Sequence, residues 1–227
     1  MTGSEVAVVV GVGPGLGNAQ VRRFADAGMR VAAVSRAGRG LGAGEHRERV
    51  RGYACDATVE DQVAAMVAQV ASDLGPPDLV VFNVGTWDRG GILDISAALF
   101  ERAWRTGCLA GFLVGKAAAG AMLPRGRGTI IFTGATGSIR GGAGFAAFAV
   151  PKFGLRALAQ SMAREFAPRG LHVAHVIVDG MIDREGGAGS ETVLAPSAIA
   201  ESYYQLHRQA RSAWTHEIDL RPAGERF

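Results

Sequence analysis

The stretch Val6-Ala7-Val8-Val9-Val10-Gly11-Val12-Gly13-Pro14-Gly15-Leu16-Gly17 decides the fold. Five apolar, mostly β-branched residues read as a strand buried on both faces. The glycines release the backbone into a tight turn, and a helical pattern follows from Asn18 to Ala27, with Gly28 as its stop. Strand, glycine turn and helix N-terminus together suit a pyrophosphate. Glycine lets the backbone come close, and the helix end offers free N–H groups and a positive dipole. The spacing is G-x-x-x-G-x-G, at Gly11, Gly15 and Gly17, with Gly13 inside it. A turn made only for tight packing is the alternative.

Outward from this stretch the chain alternates. Further strands are predicted at Val31–Ser35, Tyr53–Cys55, Leu79–Phe82, Thr129–Thr133, Leu171–Val178 and Glu217–Leu220. Helical periodicity runs through Glu60–Leu74, Ala97–Leu123 (one or two helices), Phe148–Phe166 and Ser197–Arg208. Apolar strands between helices predict an α/β fold: a parallel sheet of about seven strands with helices on both faces. Residues 1–227 read as a single domain.

Composition narrows the classes. Of 227 residues, 48% are hydrophobic and 20% charged, which excludes disorder for the bulk of the chain. Cys55 and Cys108 cannot build a disulfide framework, so a reduced, cytoplasmic setting is expected. Val6–Val10 is too short for a signal peptide, and Cys108–Leu123, interrupted by Lys116, reads as short for a membrane span. The net charge of +3 is spread without a dense basic run, so neither nucleic acid nor membrane is an expected partner. His172 and His175 are three apart on one strand and point to opposite faces, while His207 and His216 stand alone. No metal site is expected.

The end of the second strand bears on the cofactor. An acid there would read the ribose hydroxyls of NAD. This chain has Ser35-Arg36 and no acid from Ala27 to Gly44. Arg36, helped by Arg39, suits a 2′-phosphate and favours NADP(H). A merely solvated arginine is the alternative.

In order and spacing, these motifs resemble the short-chain dehydrogenase/reductase family over nearly the whole chain. The glycine motif matches at Gly11, Gly15 and Gly17, with Val10 where Thr is usual. The adenine-contacting Asp matches Asp56, followed by Ala57. Asn83-Val84-Gly85 resembles the Asn-Ala-Gly motif. Asp179-Gly180, with Ile182 beyond it, resembles the Pro-Gly motif without its proline. Phe132–Thr136 and Trp214–Glu217 are similar to a less typical bacterial branch. The resemblance implies a single Rossmann-type domain and a nicotinamide cofactor held by these residues, by Leu16 and by Lys152. It also implies a small-molecule substrate and a homodimer or homotetramer.

The family's catalytic set is Asn, Ser, Tyr and Lys. Tyr gives a proton to the carbonyl oxygen, Lys holds the nicotinamide ribose, Ser orients the carbonyl, and Asn supports a relay water. Here Lys152 matches, but the Tyr, Ser and Asn positions hold Phe148, Ala135 and Cys108. Phenylalanine cannot donate a proton, and positioned acid catalysis is worth about 100- to 10,000-fold. Four readings follow: reduction of a conjugated alkene or quinone that needs no acid; carbonyl reduction with Asp88 or Lys152 as donor; a sensor or scaffold that binds NADP(H) without turnover; or a non-redox enzyme on the same fold.

The hydroxyls of Thr136 and Ser138 stand near enough in sequence to bond a substrate. Pro151 is expected to be tolerable only near a helix start. Cys108 reads as either an inert core thiol or a nucleophile. Gly107, Gly111, Gly115 and Ala119 form a small-residue stripe, read as a subunit contact with packing on the sheet as the alternative. Trp87 either lines the pocket or covers a loop. Tyr203 and Tyr204 are placed in a pocket wall, and Met181–Pro196 is read as a short, glycine-rich lid.

Overall fold

A computed structural model describes residues 4–39, 46, 48–183 and 189–224. In chain order the elements are β1 (Val6–Val10), α1 (Leu16–Asp26), β2 (Arg30–Ser35), β3 (Val50–Ala54), α2 (Glu60–Asp73), β4 (Leu79–Phe82), α3 (Ala97–Trp104), α4 (Ala110–Met122), β5 (Gly128–Thr133), α5 (Ala146–Phe166), β6 (Leu171–Val178), β7 (Met181–Ile182), β8 (Val193–Leu194), α6 (Pro196–His207) and β9 (Glu217–Leu220). A π-helical turn, Arg105–Leu109, joins α3 to α4.

Seven strands form one parallel sheet in the order β3-β2-β1-β4-β5-β6-β9. β1 shows why its strands are apolar throughout. Val6, Val8 and Val10 join the core under α2, α4 and α5, while Ala7 and Val9 join the core under α1 and α6. Both faces are covered, so no position can be polar without cost. Val10 pairs with Val34 on one side and Phe82 on the other, which brings the ends of β1, β2 and β4 to one edge. The strand order reverses between β1 and β4, and a crevice opens there beyond the carboxyl ends.

Several boundaries move. α1 begins at Leu16 rather than Asn18, and α5 at Ala146 rather than Phe148. Pro151 is therefore the sixth residue of α5, beyond the first turn where its missing N–H costs nothing. The apolar helix is also longer than Cys108–Leu123 suggests. Ala97–Arg125 is helical throughout, and by length and composition alone could cross a membrane. Half of its most apolar window is buried inside the fold.

That burial corrects the reading of the small-residue stripe. A Cβ on Gly111 would lie 2.4 Å from Leu155 Cδ1, and one on Gly115 would lie 2.9 Å from Phe132 Cζ. Gly107 faces Pro151. The stripe lets this helix sit against α5 and the sheet within one chain; it is not a subunit surface.

Candidate active site

The glycine turn is built as a cradle. Gly11 has φ +100°, and a Cβ there would meet the Asn83 carbonyl carbon at 2.9 Å. A Cβ on Gly17 would meet the Gly11 oxygen at 2.7 Å. These two glycines are demanded by the fold itself. Gly13 and Gly15 have open space where a Cβ would stand. Gly15 caps α1 without a side-chain bond, and no acid occupies the first turn, so the positive helix end is left to a ligand. Asn83 fixes the turn from β4: its N–H donates to Val10 O at 2.8 Å and its Nδ2 to Gly11 O at 3.3 Å. Val84 packs against Gly11.

A cleft of about 780 Å³ opens beside the cradle, lined by Gly13, Pro14, Asn18, Ser35, Arg36 and Arg39. Arg36 and Arg39 are exposed there and form no salt bridge with a described residue. Across β3, Asp56 Oδ1 accepts from the Thr58 hydroxyl at 2.7 Å and the Thr58 N–H at 2.9 Å. These bonds, with nearby Arg36, hold its carboxyl below the usual range. Ala57 beside it is buried. The donor set fits a dinucleotide with an extra phosphate: a bare glycine turn at a helix N-terminus, two arginines at the β2 end, and a fixed carboxylate beyond β3.

Lys152 is buried on α5, and its Nζ donates to Thr133 O at 2.7 Å. Burial pushes its pKa down to about 8. Gly85 is the neighbour that leaves it room, since a Cβ there would lie 3.4 Å from Nζ. Gly180, at φ +152°, is wedged against Pro222, and Ile182 pairs with Leu194 in the small β7–β8 ladder. The lid reading of Met181–Pro196 lies partly outside the described residues, at 184–188.

The three substituted positions gather around Lys152. Cys108 sits in the π-helical turn with its Sγ against Gly154, one turn from Pro151. Burial raises the Cys108 thiol pKa, which suits packing rather than nucleophilic attack. Ala135 is extended, and its N–H donates to Ser138 Oγ at 3.1 Å. Phe148 packs edge-on against Trp87 with ring centroids 4.7 Å apart.

Neither nearby hydroxyl is free to orient a substrate, which corrects the expectation for both. Thr136 donates to buried Asp179, which also accepts from Arg221 Nε at 2.9 Å. Ser138 is fully buried and faces His175 Nε2 at 3.4 Å. His175 Nδ1 in turn faces Glu217 Oε2 at 3.0 Å, and Arg156 pairs with both Glu217 oxygens. Burial holds the His175 pKa down near 4, so the ring is neutral; with its proton on Nδ1 it accepts from Ser138. The Ser–His–Glu order is that of a hydrolytic triad, but no substrate can reach a serine buried this way. The chain instead braces the loop carrying Ala135. Gly134 makes it possible, since a Cβ there would lie 2.3 Å from His175 Nε2.

Asp88 and Thr86 differ. One Asp88 oxygen and the Thr86 hydroxyl are buried without a hydrogen-bond partner among the described residues. Tyr203, placed in a pocket wall by the sequence reading, lies in the core with its hydroxyl on Thr133 Oγ1 at 2.9 Å, and Tyr204 lies under Arg23. The lone histidines also have structural partners. His207 Nδ1 bonds Thr129 Oγ1 at 2.9 Å, and His216 Nδ1 bonds Val173 O at 3.3 Å. Sequence reasoning missed Phe145, Arg89, His175 and Glu217. Phe145 and Phe148, three apart at a helix start, were the available signal for an aromatic pair.

A family model described as short chain dehydrogenase matches residues 5–188. The (21S)-21-acetoxyl-apo-melianone synthase of Melia azedarach is 32% identical over 202 residues, covering 87% of this chain and 74% of its own length. A short-chain dehydrogenase structure from Rhodopseudomonas palustris is 38% identical, with a TM-score of 0.83 and coverage of 96% of this chain and 98% of that one. A metagenomic short-chain oxidoreductase solved in complex with NADP is 27% identical, with a TM-score of 0.79 and coverage of 96% of both chains.

Proposed function

Since the chain belongs to the short-chain dehydrogenase family, we propose that it is an NADP(H)-dependent oxidoreductase for acceptors that take their proton from water. One observation carries this reading: Lys152 is in place while the family's Tyr and Ser positions carry no acid and the two hydroxyls that follow the Ser position are engaged. Phe148 has no proton to give, Thr136 is bonded to Asp179, and Ser138 is buried under His175.

When bound, the nicotinamide cofactor supplies the two electrons and a hydrogen. Gly11, Gly13, Gly15 and Leu16 would hold its pyrophosphate through backbone N–H groups at the α1 start. Arg36 and Arg39 would bind the 2′-phosphate, and the NADP complex of the metagenomic relative supports that choice. Asp56 would meet the adenine and Lys152 Nζ the nicotinamide ribose. Without a donor at Phe148, carbonyl reduction loses the general acid, whereas a conjugated alkene or a quinone leaves an anion stable enough to collect a proton from solvent. The same substitutions suit a protein that binds NADP(H) without turnover, and steady cofactor oxidation separates the two.

The test is a titration with NADPH and NADH, followed by nicotinamide fluorescence. NADPH is expected to bind much more tightly than NADH, and Arg36→Ala to weaken NADPH about tenfold or more while leaving NADH unchanged, as loss of a charge-assisted bond requires. Equal loss for both cofactors would remove Arg36 as the phosphate reader.

A further inference from the structure

Where the family's acid would stand, this chain has an aromatic cluster drawn from the loop after β4 and the start of α5. The Trp87 ring lies 4.7 Å from Phe148 and 5.6 Å from Phe145, both edge-on, and Phe145 lies 6.4 Å from Phe148. The two segments are tied by Gly90 N–H donating to Gly144 O at 3.0 Å. Trp87 is nevertheless 57% exposed, two residues beyond the glycine that faces Lys152 Nζ. Arg89 lies over the Phe145 ring, 4.5 Å from its centroid, and makes no salt bridge with a described residue. Ile92 and Leu93, further along, are 71% and 95% exposed. The unpartnered Thr86 hydroxyl and Asp88 oxygen belong to the same loop, and a buried polar atom without a partner is an unusual feature that a ligand can explain.

An exposed indole held rigid by two phenyl rings is a surface for a flat unsaturated ring, because aromatic faces attract one another in offset or edge-on contact. A guanidinium beside it stabilises negative charge forming on that ring. On the basis of the NADP(H) reading above, we propose that the acceptor is a quinone, stacked on Trp87, with Arg89 beside the oxygen that becomes anionic. The quinone gains a hydride from NADPH and one proton from water; NADPH becomes NADP⁺ and the quinone a hydroquinone. The intermediate is a phenolate, whose conjugate acid has a pKa near that of tyrosine, about 10. It therefore does not need the acid that Phe148 lacks. Trp87 and Arg89 are substrate-positioning residues in this scheme.

The probe is 2,3-dimethyl-1,4-naphthoquinone, whose substituted ring carbons do not trap Cys108, compared with cyclohex-2-enone. The wild type is expected to oxidise NADPH with the quinone at a kcat/KM at least about tenfold above that with the enone. Without cofactor, the quinone should quench tryptophan fluorescence. Trp87→Ala should abolish most of that quenching and raise the quinone KM about tenfold, with kcat and NADPH affinity within about twofold; Trp87→Phe should restore most of the affinity. Loss of one stacked aromatic contact sets this scale. Arg89→Leu should lower kcat more than it raises KM. NADPH binding without quinone turnover, an enone used as well as the quinone, or an unchanged KM in Trp87→Ala would each overturn the quinone proposal while leaving the cofactor reading intact. No NADPH binding would overturn both.

Discussion

Lys152 shows how much one buried residue sets. Among the described residues its ammonium has no carboxylate against it and donates to the Thr133 carbonyl, and burial lowers its pKa from 10.5 to about 8. The unfolded chain therefore holds this proton more tightly than the folded one. For this group alone, stability is complete above about pH 10.5 and falls as the pH drops through about 8, where the folded lysine becomes charged. Cofactor binding runs the other way, because the charged form is the better partner for ribose oxygens. NADPH affinity is expected to weaken several-fold between about pH 7 and 9 in the wild type. Lys152→Met should bind NADPH more weakly overall and lose that pH step; a fluorescence titration at several pH values measures it. An identical step in the variant would assign the titration elsewhere. The identity of this residue was legible in sequence because its distance to Phe148 and Ala135 is fixed along one chain segment. The fate of Thr136 and Ser138 was not, because their partners arrive from far along the chain, His175 on β6 and Asp179 just beyond it.

At the scale of elements, α4 and α5 show where periodicity stops informing. Small residues at Gly107, Gly111 and Gly115 declare that something approaches closely, but spacing does not say what. The structure answers with Pro151, Leu155 and Phe132. Gly115→Val is therefore expected to overpack the core and cost about 1–3 kcal/mol. Thermal unfolding should show a lower Tm, while light scattering shows the same molecular mass as the wild type. A change in mass at unchanged Tm would return the stripe to the surface. Tyr203 was misread for the same reason: its period on α6 was plain, but its partner Thr133 lies on β5. The β strands were the most legible elements, since a strand covered on both faces must be apolar at every position. The Trp87–Phe145–Phe148 cluster was the least, because Trp87 arrives on the loop after β4, far along the chain from the start of α5.

For the whole molecule, one uncovered apolar face among the described residues lies on the α3–α4 helix and α5. Trp104, Phe112, Val150 and Phe153 are all 39–44% exposed there, which is unusual for large apolar side chains. A homo-oligomer closed through this face is expected. Phe112→Asp with Phe153→Asp should yield a smaller species by size-exclusion chromatography with light scattering; an unchanged mass would place any assembly on another surface. The glycine stripe packs inward on Pro151, Leu155 and Phe132, so this face is the one that the mass measurement tests.

The π-helical turn at Arg105–Leu109 acts as a phase shift in that surface. Each residue of a helix advances about 100° around its axis. A π turn holds one residue more than the α-helical turn it replaces, so α3 and α4 present their inner rows out of step. Ala103 is buried and Trp104 half-exposed at the end of α3, immediately before that turn. Removing one residue from the turn would swing the whole of α3 by about 100° relative to α4. It would turn Ala103 outward and displace the Cys108–Gly154 contact. The outer apolar face and the seat of Cys108 and Gly107 against α5 thus share a single geometric setting, and a length change made for one is imposed on the other.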